Sequence, residues 1–493
     1  MEIQILPLII VVAYLVGMLT VGAVVSKVQI KNAKDYMVAG RRMGLFMVAF
    51  SLSANNIGGG CTTGLAQKAF GAWGISAIWY VLAASLAMIP LAYFAPKIRK
   101  TMAVTIPEVV GRRFGKLSSN FTAVLSVLSL FCLTSSQIGA SGAVINALIP
   151  SIPLNVCLLL AGFVTIFYTT FGGMIADQVS DLIQFGIILV GLAIATTIVR
   201  KYAGGWQAIS AALPGEKLNM TQIGWASIIG YFFNYFCTFL AGPEMVSRFE
   251  TAKDEKTAKN AAFVSAILMA AMSIFPTLLG LAAFALQDQL PGLAENGSNA
   301  MMIVTGHYAP GVVTGLISAA IICATMSSAD SNLLCMSTMI INDLYTGLGG
   351  KKQLTDKQTI FYTRACNVLS AVVAMLISLF GVSIVAMNTF AFGIRCAGPF
   401  AAYGLGLAVP KATKNSGIIS IICGTIAFVV WQIVGGGGTW MFLMPVVAGC
   451  LVSTISFFVV NWIEWGRGVA PAPSAYLTDE EVARKIAEES AGR

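Results

Sequence analysis

Apolar residues fill this chain in long blocks, without the alternation of a half-buried strand or the stripe of a surface helix. A helix crossing a bilayer needs about 20 largely apolar residues. Thirteen blocks of that kind run along the chain, at roughly 3–26, 43–70, 72–95, 119–148, 153–170, 177–199, 222–245, 258–286, 311–345, 359–380, 384–408, 417–434 and 440–463. The connections are short, which leaves no room for a large soluble domain. The pattern therefore predicts an all-α membrane protein of about 13 transmembrane helices. Three blocks are interrupted by residues that make poor helix interiors: Ser53-Ala54-Asn55-Asn56-Ile57-Gly58-Gly59-Gly60, Ala241-Gly242-Pro243-Glu244 and Gly393-Ile394-Arg395-Cys396-Ala397-Gly398-Pro399. Backbone freed from a helix inside a membrane persists only where it lines a cavity or is covered by protein. Breaks at matching places in two halves of a chain point to a transporter binding site. Spans 2–6 and 7–11 form the two halves, with discontinuous first helices in each.

Composition sharpens the class. Apolar residues make up 57% of the chain and charged residues 10%, against about 25% charged in soluble domains. A soluble enzyme, a disordered chain and a single-span receptor are excluded. The 49 glycines and 21 methionines suit closely packed helices better than a β-barrel. The N-terminal block has only Glu2 before it and no basic region or small-residue cleavage site, so it reads as a span and not as a signal peptide. The net charge of +9 could suggest nucleic acid, but the positions of the charges say otherwise. All but five of the 30 Lys and Arg fall in alternate loops and the C-terminal tail, from Lys27, Arg41 and Arg42 through Lys97, Arg99, Arg113, Arg248 and Lys352 to Arg467 and Arg484. Basic residues are retained on the cytoplasmic side. The expected topology is multi-pass in the cytoplasmic membrane, N-terminus outside and C-terminus inside, with the basic loops meeting anionic lipid headgroups. No nucleic-acid partner and no obligate protein partner are expected. The ten cysteines all lie in spans without CxxC pairing and read as small buried hydrophobes, and His307 is the sole histidine. A transition-metal enzyme thus lacks a ligand set.

The ninth span carries Ala324-Thr325-Met326-Ser327-Ser328-Ala329-Asp330-Ser331. Positions i, i+3 and i+4 share a helix face, which aligns the Ala324 carbonyl with the Ser327 and Ser328 hydroxyls. Hard cations prefer oxygen ligands. Carbonyls of Ala54 and Ile57 at the break bring the set to five neutral oxygens around one Na+. The alternative for the serine pair is ordinary back-bonding to the carbonyl four residues earlier.

These residues resemble the sodium:solute symporter family over nearly the whole chain. The resemblance rests on the Ser53-to-Gly60 break, Thr105-Ile106-Pro107-Glu108 with Arg113-Phe114-Gly115, Tyr168-Thr169-Thr170-Phe171-Gly172-Gly173, Asp181-Leu182-Ile183-Gln184, and Ala324 to Ser331 followed by Asn342-Asp343-Leu344-Tyr345. It implies a five-plus-five inverted-repeat core and a Na+ site on Ala54, Ile57, Ala324, Ser327 and Ser328, the atoms selected above. It also implies, for some members, a second Na+ or exit path, here on Asp181, Asp330 and Ser331 with Ser327. The alternative there is a set of hydrogen-bonded or paired acids at the inner mouth. Ile57-Gly58-Gly59-Gly60 and Ser327-to-Ser331 look most like the choline-transporter branch, although that branch's first-helix Trp is matched by Asn56.

Candidate substrate contacts are Asn56, Gly59, Gln137, Tyr235, Phe236, Cys237 and Arg395, each with a packing role as its alternative. Intramembrane charges are functional hypotheses by default. Glu244 is a candidate gate, and Arg395 either binds a substrate carboxylate or pairs with an acid such as Asp330. The expected organisation is a peripheral helix and basic loop (1–42), a first repeat (43–199), a second repeat (222–408), two peripheral helices (409–465) and a tail (466–493) that opens with a capping box at Thr478-Asp479-Glu480-Glu481. The sequence predicts a Na+-coupled symporter of a small organic solute, not an enzyme. Its rivals are a transport-derived sensor, which would usually carry an appended signalling domain, and a channel, which would need a continuous polar path.

Overall fold

The computed structural model describes residues 5–149, 151–290, 293, 297–345, 354–380, 384–436, 440, 443–478 and 480–482. Within them the chain is helical, with two isolated backbone bridges and no strand. Helix α1 (Ile5–Gln29) is peripheral. The second span is discontinuous: α2 (Leu45–Asn56) ends at Ile57, a short tight turn covers Gly59–Cys61, and α3 (Thr63–Phe70) resumes. Next come α4 (Trp79–Lys100), α5 (Lys116–Leu148) and α6 (Leu154–Tyr202). The seventh span splits into α7 (Trp225–Leu240) and α8 (Pro243–Thr251). The remainder is α9 (Glu255–Ala285), α10 (Gly311–Met339), α11 (Asp356–Ser378), α12 (Ile384–Ala397), α13 (Lys414–Val434) and α14 (Pro445–Gly466). Nine helices among the described residues are long and apolar enough to cross a membrane alone. The shorter Leu154–Phe167 and Trp225–Leu240, the discontinuous second span (α2 with α3) and the eleventh span (α12 with the turns that follow it) bring the count to the expected thirteen.

Helix α6 contains two of the expected spans, divided at Gly173, whose φ of 72° and ψ of 170° lie outside the helical region. A Cβ there would come within 2.8 Å of the Tyr36 ring, so both conformation and space call for glycine. The break in the second span lies later than expected. Ser53 to Asn56 remain helical, and the chain leaves the helix only at Ile57. The third expected interruption falls after Ala397, where the helix gives way to a π-turn over Ala401–Leu405.

The outer surface is apolar, with Phe380, Trp462, Ile433 and Ile267 exposed, while the interior holds many Ser, Thr, Asp and Arg side chains. That distribution suits a lipid surround, in which apolar packing between helices has no solvent advantage and small residues bring backbones together. Gly424 shows this where α13 crosses α12. A Cβ on it would meet the Ala397 carbonyl at 2.1 Å. Backbone cannot yield as a flexible side chain would, and overpacking costs typically 1–3 kcal/mol. Gly424→Ala is expected to lower the thermal midpoint of the purified protein, whereas Gly186→Ala, with open space around its Cβ position, leaves it unchanged.

Several basic residues counted as loop charges are in fact buried at the end of the bundle that carries the basic loops. Arg41 donates to the Met102 and Ala103 carbonyls, Arg99 to Ala252 O, and Arg113 to Val409 and Pro410. They satisfy helix-end carbonyls that lipid or a crowded interface would leave bare. Met43 pairs with the chain after α8 through Met43 N to Thr251 O and Lys253 N to Met43 O, both 3.0 Å. The basic-side ends of the two discontinuous helices are thereby fastened together. Thr478 and Glu481 form the expected capping box, with Thr478 N donating to Glu481 Oε2 at 2.8 Å; the tail beyond Val482 lies outside the described residues.

Candidate functional site

The break in the second span faces α10. Ser328 Oγ donates to Ala324 O at 3.0 Å, as back-bonding predicts, and also approaches Asn55 O across the interface at 3.4 Å. Ala54 O accepts the Ile57 amide at 3.0 Å, while the Ile57 carbonyl accepts no backbone hydrogen bond among the described residues. Ala54, Ile57, Ala324, Ser327 and Ser328 are all buried. The structure thus sets Ser328 of α10 against the last turn of α2, next to Ala54 and Ile57. The five residues' donor set of neutral oxygens fits an alkali cation, and no group of three His, Cys, Asp or Glu suited to a metal occurs among the described residues.

Ser327 has a partner on another helix. Its hydroxyl donates to Asp181 Oδ1 at 2.5 Å, which leaves the lone pairs of Oγ for another partner. Asp181 Oδ2 takes Ser51 Oγ at 2.5 Å and Arg248 Nη2 at 3.1 Å. The same Nη2 lies 3.0 Å from Asp177 Oδ2 and 2.5 Å from Ser331 Oγ. Arg248 Nη1 donates to Glu244 O at 2.7 Å, and Nε to Ser51 O at 3.3 Å. The side chains of Arg248, Asp177 and Asp181 are wholly buried. A buried guanidinium is tolerable only when paired and hydrogen-bonded, and this one meets both conditions. The network joins α2, α6, α8 and α10 directly on the basic-loop side of the break.

The sequence pattern alone does not single out Arg248 and Asp177. Arg248 looked like one more basic loop residue, because α8 continues a discontinuous span past its expected end at 245. Asp177 sits at the first position of its block. The available signal was spacing: Asp177 and Asp181 are four apart on one face, as are Glu244 and Arg248. Asp181 and Ser331 do come together, but around a guanidinium, and Asp330 takes no part in the hydrogen bonds of Arg248.

Arg395 pairs with Glu244, not with Asp330. Nη1 lies 2.5 Å from Glu244 Oε2, both side chains are nearly inaccessible, and the guanidinium carbon stands 5.0 Å from the Phe392 ring centre. Glu244 therefore ties α8 to α12 beside the second break.

The substrate candidates divide. Gln137 lies against Gly58, where a Cβ would be 3.2 Å from Oε1, and Gly59 packs near Ala140 and Thr325. Tyr80 adjoins Gly60 and meets Tyr235 edge-on at 5.9 Å. Asn56 turns back to Leu52 O at 3.0 Å and rests near the sulfurs of Met245 and Met269. Phe236 and Cys237 point elsewhere on α7, Phe236 toward Phe94 and Phe400 and Cys237 into a cluster with Cys396 and Cys450. Gly58–Gly60, Gln137, Tyr80 and Tyr235 converge, and Phe236, Cys237 and Arg395 do not join them.

A family model for the sodium:solute symporter family matches residues 36–424. The chain belongs to the sodium:solute symporter family. It is a Na+-coupled secondary transporter embedded as a multi-pass membrane protein. Among curated relatives, the high-affinity proline transporter PutP of Bacillus subtilis (strain 168) is 26% identical, covering 91% of this chain and 95% of its own. A sodium/proline symporter of Staphylococcus aureus (strain bovine RF122 / ET3-1) is 25% identical over 92% of each chain. A Na+-coupled sialic acid symporter solved in a substrate-bound outward-open state shares the fold, with a TM-score of 0.81, 24% identity and coverage of 95% of this chain and 99% of that one. Mhp1, a nucleobase-cation-symport-1 family transporter, aligns at a TM-score of 0.56 and 15% identity over 87% of this chain and 95% of its own. The choline-branch likeness remains a feature of two short motifs.

Proposed function

We propose that this symporter binds Na+ between the break after α2 and the Ser327/Ser328 face of α10, and moves a small organic solute held beside Gly58–Gly60. The observation that carries the reading is the pair of serines. Ser328 reaches across to the Asn55 carbonyl, and Ser327 points its proton at Asp181, while its Oγ accepts no hydrogen bond among the described residues. Na+ accepting the lone pairs of that oxygen polarises the Ser327 O–H and strengthens its bond to Asp181. Cation binding at the break therefore tightens the buried network that fastens the basic-loop side. Loss of Na+ weakens that bond and favours opening of that side, which is the alternation a symporter requires.

The driving force suffices. A potential of 100 mV supplies about 2.3 kcal/mol per charge, and a tenfold gradient about 1.4 kcal/mol; together they sustain roughly 500-fold accumulation of a neutral solute per Na+. The solute pocket offers an amide at Gln137, open backbone at Gly58–Gly60, and the rings of Tyr80 and Tyr235. This favours a small solute with one polar end and one apolar face. Proline, which the two curated relatives named above transport, and amino acids of similar size lead the set to be screened.

The repeats are assigned to 43–199 and 222–408, in the cytoplasmic membrane, with the N-terminus outside and the C-terminus inside. A C-terminal tag accessible to protease only after the membrane is permeabilised agrees with that orientation. The functional test is a thermal-shift screen of amino acids, organic acids, amines and sugars in NaCl, KCl and choline chloride. Na+ alone is expected to stabilise the protein over K+ and choline, and the true solute to stabilise further only with Na+. Equal stabilisation in all three salts contradicts the reading.

A further inference from the structure

Building on the proposed Na+ site, we infer that the Arg248 guanidinium occupies the place of a second cation and thereby limits coupling to one Na+ per cycle. The oxygens that a second Na+ would use are the Asp181 carboxylate and the Ser327 and Ser331 hydroxyls. Arg248 Nη2 lies within 2.5–3.1 Å of Ser331 Oγ, Asp177 Oδ2 and Asp181 Oδ2, oxygens supplied by α6 and α10. Ser327 is already committed to Asp181. A cation entering there has to displace a group with no exposed surface, whose Nη1 and Nε are themselves bound to Glu244 O and Ser51 O.

A guanidinium does the electrostatic work of such a cation with one difference: it cannot deprotonate or dissociate. It is carried on α8, the basic-side half of a discontinuous helix. Movement of α8 withdraws the charge from Asp177 and Asp181 together, and its return restores it. While Arg248 is in place, its charge is shared by Asp177 and Asp181 and weakens the pull that Asp181 exerts, through Ser327, on Na+ at the break. Once α8 swings out, two buried carboxylates face the site with no cation, and Na+ is drawn from the break toward Asp181. The residues expected to hold a second ion become an exit, and Arg248 decides when it opens.

The test measures 22Na+ bound per chain at equilibrium in purified full-length protein, together with the Hill coefficient for Na+ in thermal stabilisation, for the native chain, Arg248→Lys and Arg248→Gln. The native chain is expected to bind one Na+ with a Hill coefficient near 1. Arg248→Lys, which keeps the charge, also binds one. Arg248→Gln exposes Asp181, Ser327 and Ser331 to the cation, so stoichiometry rises to two and the Hill coefficient moves toward 2. Two Na+ per native chain, or a stoichiometry unchanged at one in a folded Arg248→Gln, overturns the inference. If Arg248→Gln does not fold, the native stoichiometry still decides. Failure of the underlying Na+ site is distinguishable, since the native chain then binds no Na+ at all.

Discussion

Replacing Ser327 and Ser328 together by Ala is expected to abolish Na+-dependent uptake in proteoliposomes while leaving a folded protein. Two of the five oxygens assigned to Na+ vanish. Bonds to a charged group are each worth about 1.5–3 kcal/mol, so the Na+ concentration for half-maximal uptake should rise at least about 100-fold. The two single variants should differ. Ser328→Ala removes a hydroxyl shared between the Ala324 and Asn55 carbonyls, which loosens the contact of α10 with the break. Ser327→Ala removes the bond to Asp181 as well, so it should also sever the link between Na+ and the Arg248 network. Ser328→Ala therefore raises the Na+ requirement, whereas Ser327→Ala additionally uncouples Na+ binding from protection of the basic-loop side, read as cysteine-reagent or protease access. Uptake by the double variant at native Na+ concentrations contradicts the assignment.

The second large effect concerns Glu244 and Arg395. Their side chains are 7% and 1% exposed and face each other at 2.5 Å. Breaking a buried pair by removing one partner typically costs about 3–5 kcal/mol, because the remaining charge is stranded, while replacing both by apolar groups is often neutral. Glu244→Met is accordingly expected to destabilise the protein severely, and Glu244→Met with Arg395→Met to recover most of the loss in thermal midpoint. If Arg395→Met instead leaves the midpoint intact and removes only solute uptake, Arg395 serves the solute and the pairing account is wrong.

The architecture was largely legible in the sequence because membrane helices announce themselves by length and apolarity alone. The thirteen blocks, the Ala324–Ser327–Ser328 face and the break near Ile57 all follow from local rules of helix geometry. What the sequence hid depends on tertiary partners. Arg248 and Arg41 carry the same letter as a solvated loop arginine, and only packing shows that one is enclosed by two carboxylates and the other by helix-end carbonyls. The partner of Arg395 could not be read either, since Glu244 and Asp330 are both acids in spans and only the crossing of α8 with α12 selects between them. Tyr235, Phe236 and Cys237 are consecutive, so on a helix they must diverge. Only Tyr235 meets Tyr80 at the break. Asn56 spends its amide on Leu52 O, a local competition that a residue pattern does not display.

If neutral oxygens of the break and of α10 hold Na+, equilibrium 22Na+ binding will separate the native chain from Ser327→Ala/Ser328→Ala. The native chain is expected to show saturable binding that K+ does not displace, and the double variant to lose it at unchanged folding. Retention of native-like 22Na+ binding in that variant would contradict the assignment of those oxygens to Na+.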